Sequence, residues 1–282
     1  MRALEREVFD AVWAAVEPLL PDPPRTHPLG CHRPRVSNEL CFRGILIRLV
    51  TGCSWVDTEA ILNWEVSDTT LRARRDEWTA AGVFDALAAE ALAAYDRIIG
   101  LDLGEVAIDG SQHKAPCGGE GTGPNCTDKG RSGWKWSLAT DTCGIPLGVI
   151  AAPANRNDCK LVAATLDDIE LKGLLDEIET LHLDRGYDFA FVREECAARG
   201  LGDVQIPKCR KRKTKGRAKK KPIPLGLRWP VERTNSWLSN FGQLRRNTDR
   251  HSTHRRAQLQ LAIAFLLAAK LIDWAQRWSP IR

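Results

Sequence analysis

The chain has 282 residues, 43% of them hydrophobic and 27% charged, which suits one large domain or two ordinary ones and excludes wholesale disorder. A net charge of +5 hides an asymmetry: residues 208–256 carry 17 Lys and Arg against two acids, Glu232 and Asp249, a local +15 that leaves −10 on the rest. The longest apolar run, residues 259–272, contains Gln260 and Lys270 and falls short of the roughly 20 residues a membrane span needs. No export signal opens the chain, so a soluble, cytoplasmic protein with no membrane partner is expected.

In chain order, the first hundred residues read as helical. Leu4, Val8, Val12 and Val16, with Phe9 and Trp13, recur at helical spacing up to the proline-rich stretch 18–28. Further helices are predicted over 40–50, 56–62, 67–80 with Ser67 as N-cap, and 83–99 before Gly100. Residues 56–80 form a candidate helix-turn-helix in which Thr69, Thr70, Arg72 and Arg74 would face a major groove, although plain helical packing gives the same pattern.

After Gly100 the periodicity changes. Residues 106–108, 134–140 and 145–151 predict strands, the last two a hairpin, with a Gly-rich loop over 117–133. A helix over 158–169, a strand at 181–183, a helix over 188–198 and a strand near 204–206 follow. A helix from Pro230 and a long closing helix over 253–278 complete the chain. The fold class is therefore α/β, a mixed sheet with flanking helices behind an all-helical N-terminal region, divided at 1–100 and 101–282. Nine cysteines without a C-x-x-C pair predict reduced thiols, and His113, Cys117 and Cys126 lack the spacing of a zinc finger or ribbon.

Residues 208–221 hold 10 basic residues in 14 and no acid, a self-repelling loop suited to a polyanion. Two acidic positions share one design: Asp109 before Gly110 and Asp184 before Arg185-Gly186 each close a short apolar strand. Taken alone, each is equally a turn cap. A third acid, Glu232, lies on the polar face of the helix from Pro230, flanked by Arg228 and Arg233. Three carboxylates in a basic protein suggest phosphoryl transfer on DNA, with two metal ions about 3.5–4 Å apart serving the attacking and leaving oxygens. Lys211, Arg212, Lys213 and the later arginines would hold the backbone.

The chain resembles the DDE transposases of bacterial insertion sequences, in particular the group named after insertion sequence five. The resemblance is carried by Ala107-Ile-Asp-Gly-Ser111, Leu183-Asp-Arg-Gly-Tyr187 and Arg228-Trp-Pro-Val-Glu-Arg-Thr-Asn-Ser-Trp-Leu238. Upstream, Leu49-Val-Thr-Gly-Cys-Ser-Trp55 and Trp78-Thr-Ala-Ala-Gly-Val-Phe84 also match. It implies an RNase H-like domain, a metal-binding triad of Asp109, Asp184 and Glu232, two Mg²⁺ (or Mn²⁺) ions, and a homodimer or larger assembly on DNA. The implied reaction is cleavage at the element's terminal inverted repeats and transfer of the freed 3′ ends into target DNA. The related Tyr, Arg, Glu, Lys signature is met by Arg228 and Glu232, while Leu225 and Ser239 stand at the Tyr and Lys positions; Arg245 or Arg246 are the candidate substitutes. The alternatives are a non-catalytic helix-turn-helix regulator and a stand-alone nuclease.

Overall fold

The structure, a computed structural model, describes residues 2–23, 34–208 and 228–278. The basic loop lies outside them except for Lys208, so Lys211, Arg212 and Lys213 lie outside the described residues, as does Leu225. In chain order the elements are α1 (Arg6–Val16), α2 (Asn38–Thr51), α3 (Trp55–Ile61), α4 (Asp68–Ala80), α5 (Val83–Ile98), β1 (Glu105–Lys114), β2 (Gly123–Pro124), β3 (Ser132–Thr140) and β4 (Pro146–Pro153). They continue with α6 (Val162–Glu170), β5 (Thr180–His182), α7 (Ala190–Ala198), β6 (Asp203–Gln205), α8 (Trp229–Leu238), α9 (Gly242–Arg245) and α10 (Ser252–Trp278). Two compact units result. One comprises residues 1–99, 115–120 and 237–282; the other comprises 100–114 and 121–236. The α9 and α10 segments thus group with the N-terminal helices, whereas the sequence pattern had placed them with the sheet.

In the helical unit, α10 packs along α5 and against α1. Leu259, Leu261, Ala262, Ile263, Ala264 and Phe265 are all buried, so α10 is covered on every side over residues 257–265. By length and composition it is the one described helix able to cross a membrane, but more than half of its apolar window is buried inside this unit. Phe42 centres the core, with the rings of Phe9, Trp13, Trp78 and Phe265 at 5.6–6.4 Å. Helix starts follow local chemistry. Ser54 and Asp57 make a reciprocal capping box on α3, and the Ser67 hydroxyl accepts from the Thr70 amide on α4, as its sequence position predicts. A Cβ on Gly242 would lie 2.6 Å from the Thr51 carbonyl, so α9 meets the end of α2 backbone to backbone.

The second unit holds the sheet. Its order is β4–β3–β1–β5–β6, with β2 paired to the start of β3. β1, β3 and β4 run antiparallel, while β5 and β6 run parallel to β1. Leaving aside the two-residue β2, the strands therefore stand third, second, first, fourth and fifth, the RNase H-like arrangement. Alternation along β1 divides its side chains. Val106 and Ile108 join Leu147, Leu166, Leu181 and Val192 in one buried cluster with α6 and α7. Ala107, Asp109, Ser111 and His113 face the other way. On that side Trp136 of β3, opposite Ser111 in register, donates its indole N–H to Asn235 of α8 at 2.8 Å. The sheet's second face is thus covered by the helix that carries Glu232.

Candidate functional site

Strand register explains why two distant acids meet. Ala107 pairs with His182 across the parallel β1–β5 ladder, so two residues further on Asp109 and Asp184 leave the same face of neighbouring strands. The expectation that both acids close their strands is met only by Asp184. Asp109 lies mid-strand, opposite Leu138, because β1 continues through Gly110 to Lys114; a Gly after an Asp resembles a turn in sequence but here permits close packing. Asp184 both caps and points: its Oδ1 accepts the Gly186 amide, and a Cβ on Gly186 would sit 2.8 Å from that oxygen.

Glu232 stands in the first turn of α8. Three contacts tie this helix down. The Thr234 hydroxyl donates to the Gly144 carbonyl at 2.7 Å, an Arg233 guanidinium nitrogen donates to the Cys143 carbonyl at 2.7 Å, and Asn235 accepts from Trp136. Asn235 is accordingly buried, and α8 stops at Leu238. Glu232 itself projects, its side chain 56% exposed.

Two of the three carboxylates flank one guanidinium, and its charge also bears on the third, Asp109. Arg228 lies 3.1 Å from Glu232 Oε1 and 3.9 Å from Asp184 Oδ2. Asp109, the most enclosed of the three, is pushed up to about 6: burial is the main cause, Asp184 and Glu232 add to it, and Arg228 and the Gly110 amide oppose it. One cation does not balance three acids. Among the described residues no three acids, histidines or cysteines form a ready-made metal cage. The donor set, all carboxylate oxygen, nevertheless fits a hard divalent cation, and Arg228 shows that a positive charge is accommodated between two of them.

Sequence reasoning missed the neighbours of this cluster. Asp158, in the loop after β4, lies against Gly110, whose Cβ would come within 2.2 Å of its Oδ1. Tyr187 follows Asp184 and is buried. Neither falls in an apolar or charge pattern that marks it. His113 is buried and stacked on Trp136 at 3.8 Å, its Nε2 2.8 Å from the Ser111 hydroxyl; burial holds it at about 3, hence neutral.

The other expected DNA contacts separate. Arg233 is engaged with Cys143 and lies over the Trp229 ring at 4.2 Å. In the helical unit the exposed stripe of α4 is Thr69, Arg72, Ala73 and Asp76, with Arg72 paired to Asp68 at 2.7 Å. Arg74 corrects the expectation: it is 4% exposed and donates to Asn38 and the Val36 carbonyl, since position 74 falls on the inward face of the helix. Arg245 and Arg246 are exposed. Arg72 and Arg246, with Arg250 and His251, line a cleft of about 530 Å³.

Residues 101–269 match the family described as "Transposase DDE domain", and residues 8–88 match "Putative transposase of IS4/5 family". The chain is 35% identical over 150 residues to the "Putative transposase for insertion sequence element IS402" of Burkholderia cepacia, covering 51% of this chain and 67% of the relative. It is 36% identical over 116 residues to an uncharacterized 16.2 kDa protein of the same element, covering 41% and 78%. A solved complex, the Mos1 transposase paired with its left transposon end, aligns over 88% of this chain and 82% of its own at 12% identity, with a TM-score of 0.26. Since the first match takes in more than half of the chain, the protein belongs to the DDE transposase family, enzymes that act on DNA and depend on divalent metal ions.

Proposed function

We propose that this transposase nicks DNA at the terminal inverted repeats of its own element and joins the freed 3′ ends to a target, with Asp109, Asp184 and Glu232 as the metal-binding residues. The observation that carries the reading is the uncompensated charge: three convergent carboxylates share one arginine, an arrangement that costs stability and is relieved by cations. Two Mg²⁺ or Mn²⁺ ions, when bound, would activate the attacking oxygen and stabilise the leaving one. The chain's own residues do the rest. Asp109 and Asp184, fixed by strand register, set the spacing of the donors, and Glu232 completes the set from a pinned helix. Arg228 is released from the acids toward the phosphate backbone.

In the same reading the cleft lined by Arg72, Arg246 and Arg250 holds duplex phosphates, and the protein acts in the cytoplasm as a homodimer or larger assembly, since two ends must be paired before joining. Lys211, Arg212 and Lys213 add sequence-independent affinity. Changing these three together to Ala should flatten the slope of log K against log salt by up to about three, at roughly 0.9 per phosphate contact, without altering the preference for element ends over random DNA. Labelled element ends incubated with a plasmid target and Mg²⁺ test the whole proposal. Joined product supports it, cut ends alone indicate a nuclease, and end binding without cutting indicates a regulator.

A further inference from the structure

A second polar cluster lies across β1 from Asp109, on the face shared by Ile108, Gly110 and Gln112, where Lys135 pairs in register with Gln112. The Lys135 ammonium on β3 is 2.6 Å from Asp158 Oδ1 and donates to the Arg156 carbonyl at 3.0 Å. Its side chain is 2% exposed while that of Asp158 is 38% exposed. A buried lysine thus holds a carboxylate whose other edge stays open, and that carboxylate rests on the backbone of Gly110, next in chain to Asp109.

The turn at residues 158–160 packs against the turn at 185–187, which brings in Tyr187. Its ring is 2% exposed and joins the cluster formed with Ile108 and Val192, yet its hydroxyl has no hydrogen-bond partner among the described residues. The negative charges that bear on that hydroxyl are those of Asp158, Asp109 and Asp184. A buried hydroxyl without a partner is costly, and a phenylalanine would fill the same apolar space; a polar group kept in such a place points to a ligand or water that satisfies it. If Lys135 and Asp158 served only to close the loop after β4, Tyr187 would have no reason to carry an oxygen.

We propose that Asp158 and Tyr187 are positioning residues that together hold one ordered water beneath the Asp109–Gly110 backbone and the Asp184 turn, fixing the backbone that presents both carboxylates to the divalent cation, with Lys135 neutralising the fourth acid. The inference rests on the triad reading above. Outer partners of this kind orient metal-binding carboxylates, and their loss weakens metal affinity by about 10- to 100-fold. The pairing with Lys135 lets a fourth carboxylate stand near three others without adding net charge.

The test is Mn²⁺ binding to the full-length protein, followed by the loss of the free-ion electron paramagnetic resonance signal. Wild type, Asp109→Asn, Asp158→Asn and Tyr187→Phe are compared, with melting temperatures taken without metal. Tyr187→Phe should melt at or above wild type, because it removes an unpaired buried hydroxyl, yet bind Mn²⁺ about tenfold more weakly. Asp158→Asn should weaken binding at least as much. A merely structural role would lower the melting temperature and leave Mn²⁺ affinity alone. Where Asp158→Asn melts early because Lys135 is left unpaired, Tyr187→Phe decides. Wild-type affinity in Tyr187→Phe, with binding lost in Asp109→Asn, overturns this inference alone. Wild-type affinity in Asp109→Asn overturns the triad reading and this inference with it.

Discussion

The helical unit and the sheet unit each contain a cluster of carboxylates and arginine, with opposite stoichiometry. In the helical unit one carboxylate, Asp249, receives two arginines: Arg48 at 3.1 Å and Arg75 at 3.0 Å. Gln258 donates to it as well, and its backbone amide is taken by Asn247. Both guanidiniums lie over the Trp55 ring, at 4.4 and 5.2 Å. In the sheet unit three carboxylates share Arg228. The same residue type accordingly responds in opposite ways: Asp249 is held below the usual carboxylate range, because the two arginines outweigh its burial, while Asp109 is pushed up to about 6. A cluster whose charges are satisfied within the chain supports the fold. One left unbalanced is available to a ligand.

The most severe way to break this comparison is Asp249→Ala. Two buried arginines would lose their counter-charge, which typically costs about 3–5 kcal/mol, and thermal unfolding should show it as a large drop in melting temperature. The pH sign follows from the depressed value: the pair's contribution is present above the ordinary carboxylate range and is lost as pH falls through and below it.

Asp109→Asn should do the reverse. Without metal, at neutral pH, the variant should be more stable than wild type by about 1–3 kcal/mol, the cost of ionising a carboxylate whose pKa the fold raises. That cost is absent below about pH 4, grows between about pH 4 and 6 and is constant above, so the two proteins should melt together in acid and differ fully by neutrality. Nicking with Mg²⁺ should fall by more than about 100-fold, beyond what loss of an outer partner brings. A variant both less stable and fully active would remove Asp109 from the proposed site.

Two arginines on one helix sharpen the contrast at smaller scale. Arg74→Ala, which breaks buried hydrogen bonds of a charged group, should cost about 1.5–3 kcal/mol of stability. Arg72→Ala should leave the melting temperature within about 0.5 kcal/mol of wild type but lower the salt slope of DNA binding by about 0.9 if it meets one phosphate. Equal effects of the two on folding would mean that the exposed stripe of α4 is not a binding face.

Element types and most boundaries were legible from local patterns. The Ser67 cap, the end of α5 before Gly100, the hairpin of β3 and β4 and the long α10 all follow from periodicity, caps and turn residues, which act over a few positions. Arg74 was misjudged because basic residues next to each other in sequence point to different faces of a helix.

The sequence by itself determined the chemistry on offer: three acids with their flanking glycines and arginines in the order the DDE family uses, the basic surplus after residue 208, and the alternation of strands and helices. Only the tertiary structure decided how these are combined. Strand register puts Asp109 and Asp184 on one face, and the Asn235–Trp136 bond lays α8 across it. Lys135, Asp158 and Tyr187 come from three separate segments and meet only through packing. That difference is physical. Propensity and periodicity are properties of neighbours along the chain, whereas burial, charge balance and the pairing of a lone hydroxyl depend on residues brought together from far apart, which no local pattern encodes.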